Sequence, residues 1–366
     1  MMNIIIAQYY QSNSAATNRI TAFAKALADL GVSITIVWAN TVDFEPPVID
    51  NVVIDKCVYN KHILYFKVAK HIKDIYTENT VIYEYGSSIL RLFLPSNKYK
   101  FFFEFTEIPF YGRSKTLVAR IKEACKIILV KRSSGIFVIS KALKEYYLSH
   151  GVKNVNVLNM FVDFSRFEKV GQMINQEKYI AYCGKISEFK DGVDCLIKAF
   201  DVFFAIHKDY CLKLIGGFES YSDEIKLKRL TDSLDCRTAV MFTGKVSSDD
   251  LPVLLQNARI LALARPNNEQ AKYGFPNKLG EYLATGKPVV VTKVGEIDNF
   301  LTDSVNCYLS KPDDPLSFAE KLIYVENNYD EALKVGQSGR ECARKYFSSD
   351  TQAKYALEVI TECINS

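Results

Sequence analysis

The stretch YGFPNKLGEYLATGKPVVV, residues 273–291, sets a turn, a helix and a strand in immediate succession. Gly274 and Pro276 shape the turn, Lys278 to Thr285 reads as a helix, Gly286-Lys287-Pro288 stops it, and Val289–Val291 reads as a buried strand. A helix start exposes unpaired N–H groups and a partial positive charge, so the amides of Asn277, Lys278 and Leu279 would suit a phosphate. From Asn277 to Glu281 the helix advances about 6 Å, an offset that fits a phosphate and a ribose of one nucleotide. Glu281 would then accept hydrogen bonds from two ribose hydroxyls; its plainer reading is an exposed helix carboxylate.

On either side of this stretch the same alternation recurs. In the first half, strands are expected at Asn3–Ala7, Ser33–Trp38, Val52–Val58, Thr80–Tyr85, Tyr99–Phe105, Gly135–Ile139 and Val155–Asn159. Helical segments separate most of them, beginning with Thr17–Leu30, which Gly31 stops. The pattern restarts with a strand at Tyr179–Cys183, a helix at Val193–His207, a strand at Cys211–Ile215, a helix at Lys226–Leu234 and a strand at Ala239–Thr243. Ser247-Ser248-Asp249-Asp250 opens a further helix with a capping box, and Ile260–Ala264 is a strand. Short apolar strands alternating with helices imply α/β architecture, with parallel sheets covered on both faces. The polar, unpatterned segment Asn159–Lys178 reads as a linker. The expected organisation is a first domain over 1–165, a second over 166–345, and a C-terminal helix over 346–366 that packs back on the first. Ligands of doubly wound sheets bind at the carboxyl ends of the strands, so two such domains predict a cleft between them.

A chain of 366 residues fits two domains, and 48% hydrophobic with 24% charged residues is a globular composition. The start, MMNIIIAQYYQ, lacks a basic stretch and a long apolar run, so no signal peptide is expected, and no apolar run approaches the ~20 residues that span a bilayer. The nine cysteines form no CxxC pair and no Cys/His cluster, which reads as reduced thiols of a cytosolic protein without a zinc site. The net charge of +4 is uneven: residues 1–165 hold 20 Lys and Arg against 13 Asp and Glu, and the excess concentrates in 111–132.

Two further features bear on an anionic ligand. Cys183-Gly184-Lys185 ends a strand in a glycine and a cation, and Lys190 and Gly192 precede the next helix. Glycine lets the backbone approach a ligand, and two lysines would face anionic oxygens, although loop lysines are more often solvated surface charges.

Together these landmarks resemble the retaining glycosyltransferases of GT-B fold, family 4, known as glycosyl transferases group 1. The matching runs are Gly184-Lys185 with Lys190-Asp191-Gly192, Lys213-Leu214-Ile215-Gly216-Gly217, Phe242-Thr243-Gly244-Lys245-Val246 and FPNKLGEYLATGKPVVV at 275–291. Val157-Leu158-Asn159-Met160-Phe161-Val162-Asp163 resembles the family's domain junction. The runs cover most of 155–301; the first domain matches by architecture. The resemblance implies two Rossmann-like doubly wound parallel-sheet domains facing a central cleft. It also implies transfer of a hexose-type sugar, with retention, from a nucleotide diphosphate sugar of UDP or GDP type. The acceptor would be a glycan, lipid-linked in many members, and no cofactor or metal is implied. Lys185, where the family usually has arginine, and Lys190 would neutralise the diphosphate, which is the leaving group. Gly184, Gly274, Phe275, Pro276, Asn277, Lys278, Leu279 and Glu281 would bind the donor, and Gly244, Lys245 and Val246 would border the base.

Two departures stand out. Tyr273 occupies the place of the first Glu of the family's Glu-x7-Glu motif, where the donor sugar is contacted. The histidine often found after a first-domain strand is missing, and Thr106 or Glu107 stands there; Glu107 reads equally as a sugar or acceptor contact and as a polar loop residue. No Asp-x-Asp triplet occurs, so leaving-group stabilisation without metal is expected. The remaining basic element, Lys115–Val130, reads as a helix with Leu117, Ile121, Ala124, Cys125 and Ile128 on one face and Lys115, Lys122 and Lys126 in a stripe beside it. It reads either as a packed helix with a solvated face or as a dock for an anionic membrane surface on the cytoplasmic side. Without interleaved aromatic residues, nucleic acid is not expected as a partner. Two other functions fit parts of the pattern: a nucleotide-sugar epimerase of the same fold, and a binding or scaffold protein without turnover.

Overall fold

The structure is a computed structural model that describes residues 2–11, 14–94, 98–108, 117–168 and 178–365. In chain order the elements are β1 Asn3–Tyr9, α1 Ala15–Asp29, β2 Ser33–Asn40, β3 Val52–Val58, α2 Leu64–Ile75, β4 Thr80–Tyr85, β5 Lys100–Phe105, α3 Leu117–Val130, β6 Gly135–Val138, α4 Lys141–Ser149 and β7 Val155–Val157. There follow α5 Ser165–Glu168, β8 Lys178–Cys183, α6 Glu188–Asp191, α7 Val193–Ile206, β9 Tyr210–Ile215, α8 Tyr221–Asp232, β10 Val240–Gly244 and α9 Asp250–Asn257. The chain continues with β11 Ile260–Leu263, α10 Glu269–Tyr273, α11 Asn277–Ala284, β12 Val289–Thr292, β13 Tyr308–Ser310, α12 Pro315–Asn327, α13 Tyr329–Phe347 and α14 Ser349–Asn365. Two compact units result. The first comprises the chain up to Phe161, Tyr273–Phe275 and the residues from Ser349 on; the second comprises Val162–Lys272 and Pro276–Ser348.

The first unit is built on one seven-stranded parallel sheet, ordered β3-β2-β1-β4-β5-β6-β7. Both faces are covered, which explains why its central strands are apolar at nearly every position rather than alternating. Ile4, Ile6, Tyr83, Phe102 and Phe137 point to the side of α1, where Ile20, Phe23 and Leu27 meet them. Ala353, Ala356 and Ile360 of α14 complete that layer. Ile5, Ile82, Phe101, Phe103 and Val138 point to the other face and pack with Val68 and Ile72 of α2 and Leu143 and Tyr147 of α4.

The second unit repeats the arrangement with a six-stranded parallel sheet, ordered β10-β9-β8-β11-β12-β13. In both sheets the order reverses beside the first strand of the unit, which is the doubly wound topology and its ligand-binding switch point. Most predicted strands lie within two residues of their observed ends. The helix predicted at Lys226–Leu234 instead spans Tyr221–Asp232, because Ser220 caps it by accepting from the Asp223 amide at 3.1 Å. Its first turn is polar or exposed, so the apolar period that reveals a helix starts only at Leu227. Among its described residues the linker segment contains a short helix, α5, whose Phe167 is buried.

Candidate active site

At the carboxyl ends of β8, β9 and β10, backbone bonds stitch three loops together. The Gly184 amide donates to Ile215 O at 2.9 Å, Gly216 to Gly244 O at 2.9 Å, and Ile186 to Gly217 O at 2.9 Å. Gly216, at φ +137°, admits no side chain: a Cβ there would lie 1.9 Å from the Gly184 carbonyl oxygen. Gly184 and Gly244 thereby flank Gly216 on either side. Lys185 is exposed and its Nζ lies 2.8 Å from Glu219, also exposed. Lys245 and Val246 follow on the β10 loop, with the Lys245 side chain running 3.5 Å from the position a Gly217 Cβ would take.

The segment after Lys185 forms α6, capped where Ser187 Oγ accepts from the Lys190 amide at 3.2 Å. This cap sets Lys190 half-buried on a single rigid turn. Gly192, at φ +62°, ends α6 against the end of β11, with a Cβ position 2.1 Å from Ala264 O. The turn therefore sits at the switch point between β8 and β11.

Helix α11 begins beside this turn. Pro276 occupies its N-cap, and the Leu279 amide donates to Pro276 O at 3.0 Å. This tightening of the first turn corrects one expectation: Leu279 is engaged by its own helix, and the helix start offers the amides of Asn277 and Lys278. Asn277 Oδ1 is buried and has no hydrogen-bond partner among the described residues. The Lys278 side chain turns inward, donating to Asp191 Oδ2 at 2.5 Å and to Tyr182 OH at 3.0 Å. Tyr182 OH also reaches Asp191 Oδ2 at 2.9 Å and Lys185 O at 2.6 Å. Burial pushes the Asp191 carboxyl up, but the charges of Lys278 and Arg265 and the bonds from Lys278 and Tyr182 outweigh it and hold it below its ordinary value. On the next turn Tyr282 OH accepts from the Cys183 amide at 2.6 Å. Two buried phenols thus fasten α11 to the end of β8, and the Lys278–Asp191 ion pair fastens it to α6.

Glu281 lies half-buried on α11 and accepts from Arg166 Nη1 at 2.6 Å. Arg166 Nη2 donates to Ser248 O, in the loop after β10, at 3.2 Å. Sequence reasoning missed Arg166, which stands in the segment taken as a linker. Nearby, burial and the charge of Glu281 push the Cys183 thiol up to about 12, so it remains protonated and is no nucleophile.

Phe275 is buried and Gly274 beside it is also buried. Tyr273 ends α10; its carbonyl accepts from Ser140 Oγ at 2.6 Å, and its ring meets Tyr146 edge-on at 6.2 Å between centroids. Its ring is spent on the apolar cluster of the first unit. Glu107 is exposed just beyond β5, next to Thr106, whose Oγ1 lies 3.2 Å from Tyr85 OH. Burial, together with the charge of Glu104, pushes that phenol up to about 12.

The basic helix departs most from expectation. Lys115 lies outside the described residues. In α3, Ile127 and Val130 are buried, and Lys126 turns inward, its Nζ 3.7 Å above the Phe105 ring. Burial pushes Lys126 down to about 8, against the charges of Glu84 and Glu123. Lys126 is therefore not part of a solvated stripe. The apolar face expected to pack is instead the exposed one: Leu117 is 73%, Ile121 54% and Ile128 53% exposed, and Cys125 is exposed with them. The helix has apolar residues on both faces, so periodicity alone could not decide which faces the core. Lys122 is exposed. No helix among the described residues is long and apolar enough to cross a membrane, and none of their His, Cys, Asp and Glu residues group so as to hold a metal ion.

Residues 177–328 match the family model described as glycosyl transferases group 1. An uncharacterized glycosyltransferase of Methanocaldococcus jannaschii is 26% identical over 155 residues, 42% of this chain and 40% of that protein. A second from the same organism is 24% identical over 251 residues, 64% of this chain and 62% of that protein. The matches thus span less than two thirds of either relative. Among solved structures, a sucrose-phosphate synthase from Thermosynechococcus elongatus is similar with a TM-score of 0.77 over 100% of both chains. Anabaena Alr3699/HepE in complex with UDP and glucose gives 0.77 over 99% of this chain and 100% of that one. Both are 15% identical, a likeness that shows the GT-B fold alone.

Proposed function

We propose, from the match of residues 177–328 to the family model described as glycosyl transferases group 1, that the protein is a retaining glycosyltransferase that moves a hexose-type sugar from a UDP- or GDP-sugar to a glycan acceptor. The observation that carries the reading is that Gly184, Gly216 and Gly244 are stitched together at the carboxyl ends of β8, β9 and β10, with the Lys278 side chain of α11 beside Gly184. Lys185, Lys190 and the amides of Asn277 and Lys278 would surround the donor diphosphate. Glu281 would hold the ribose, and Gly244, Lys245 and Val246 would border the base. The bond between the anomeric carbon and the diphosphate oxygen breaks, and the diphosphate leaves with that electron pair. The acceptor hydroxyl oxygen bonds to the same face of the sugar and passes its proton to a departing phosphate oxygen. Fixed cations and amides aimed at the leaving oxygens act where negative charge develops.

The first unit would bind the acceptor at the carboxyl ends of its strands, where Glu107 stands. The exposed apolar face of α3 with Lys122 suits an anionic leaflet, which would place the protein on the cytoplasmic membrane face and fit a lipid-linked acceptor. A binding protein without turnover is the second reading, supported by Tyr273 spending its ring on the first unit. A thermal-shift screen of nucleotides and nucleotide sugars, followed by assay of UDP or GDP release, separates the two. Lys190→Ala and Glu281→Ala should abolish transfer; full activity in Glu281→Ala refutes the site. Binding without nucleotide release for any donor supports the second reading.

A further inference from the structure

We infer that Arg166 is a positioning residue of the nucleoside subsite, fixing the ribose carboxylate and the base loop against one another. This rests on the donor-site reading given above. Its guanidinium uses one arm on Glu281 Oε1, at 2.6 Å, and the other on the carbonyl of Ser248, at 3.2 Å. Glu281 stands on α11, and Ser248 lies four residues beyond Gly244 in the loop after β10. These two segments have no shared backbone ladder, since β10 is the edge strand and three strands separate it from the β12 that follows α11. The planar fork of an arginine is suited to hold two oxygens at a fixed separation, which a lysine cannot do.

The pair is placed to orient Glu281. A carboxylate offers about four acceptor directions on two oxygens. With Oε1 bonded to Arg166, Oε2 is left to a ribose hydroxyl, while Oε1 keeps one direction for the second. The side chains of Arg166 and Glu281 are 25% and 23% exposed, so the contact is sheltered yet open on one side. Arg166 is itself held from below, since its own short helix is anchored by buried Phe167, whose carbonyl accepts from Gln256 of α9 at 2.5 Å. The guanidinium is therefore fixed before any ligand arrives.

Binding of UDP and of 2′,3′-dideoxyuridine diphosphate, with the guanosine pair in parallel, tests this by titration calorimetry on the full chain. Arg166→Ala should weaken the ribonucleotide about tenfold more than the dideoxy analogue, the value of roughly one charge-assisted hydrogen bond, with any smaller loss common to both reporting the loosened base loop. Glu281→Gln should erase the same discrimination, and Arg166→Ala in that background should add no further ribose-dependent loss. Arg166→Lys should recover part of it. Equal losses for both nucleotides, or tighter binding in Arg166→Ala, overturn the positioning role while leaving the donor site standing. A folded wild-type protein that binds none of the four nucleotides overturns the donor site and this inference with it.

Discussion

Replacing Asp191 with asparagine tests whether the buried pair with Lys278 holds the start of α11 in place. The Asp191 side chain is 2% exposed and that of Lys278 16%. The substitution keeps the shape and leaves the ammonium beside a neutral amide. Tyr182 OH loses little, because it retains Lys185 O at 2.6 Å. The cost thus falls on Lys278, whose remaining polar contact is that phenol at 3.0 Å. Breaking a buried pair from one side costs about 3–5 kcal/mol. The partial exposure of Lys278 argues for the lower end, about 3 kcal/mol. For a unit of this size that lowers the melting temperature by about 6–12 °C. Calorimetry, which resolves separate transitions, is the assay. The double change Asp191→Asn with Lys278→Met removes both charges and should regain at least half of the loss. The acid limb supplies a second reading. Asp191 is held below its ordinary value, so its contribution is fully present above about pH 4 and is lost as pH falls through the folded value. The variant should therefore lose less stability than the wild type on acidification. A single variant melting within about 2 °C of wild type, or a double variant no better than the single, refutes the argument.

Three other outcomes are expected. Burial pushes the Glu84 carboxyl from 4.5 up to about 7, so the folded form holds the extra proton and stability falls as pH rises across that window. Glu84→Gln should remove this slope and gain up to about 3 kcal/mol above pH 7, reduced by the isolation of Lys126; equal urea midpoint shifts at pH 5.5 and 8 would contradict it. Gly336→Ala on α13 should lower the melting temperature although alanine favours helices by about 1 kcal/mol, because its Cβ would lie 2.5 Å from Gly286 O and 2.7 Å from the Lys287 carbonyl carbon; a higher melting temperature refutes it. Ile121→Glu with Ile128→Glu should reduce flotation with anionic liposomes, whereas Lys126→Ala should act on stability instead; unchanged flotation of the glutamate variant refutes the membrane surface.

The fold was legible because parallel strands buried on both faces are written as short apolar runs. Val289–Thr292, Ile260–Leu263 and Phe101–Phe103 needed nothing beyond their own residues to be recognised. Helices on the surface were legible where an apolar stripe or a cap marked them. Tyr221–Asp232 was read late because its first turn is polar, and the orientation of α3 was inverted because Lys126 turns its ammonium over the Phe105 ring. A lysine in sequence does not declare whether its ammonium lies over a ring or in water. The glycines of the candidate site were legible as motifs at strand ends. Their partners were not: Arg166 and Glu281 are 115 positions apart, and Lys278 and Asp191 are 87 apart. No local rule connects such pairs, since only the assembled sheet brings them together.

That difference sorts the cations of the site, which composition alone treats as equivalent. Lys185 and Glu219 form an exposed pair, 66% and 42% exposed, of a kind that contributes about 0–1 kcal/mol. A diphosphate carrying several negative charges can take the Lys185 ammonium from Glu219 at little cost. Lys278 is in the opposite position: its ammonium is bonded to a buried carboxylate, and removing it would strand Asp191 in the interior. On the proposed donor reading, Lys278 would serve the donor through its amide and through the rigidity of α11, while Lys185 would meet the leaving group directly. Neutralising Lys185 should thus weaken diphosphate binding with little effect on melting, whereas neutralising Lys278 should lower both.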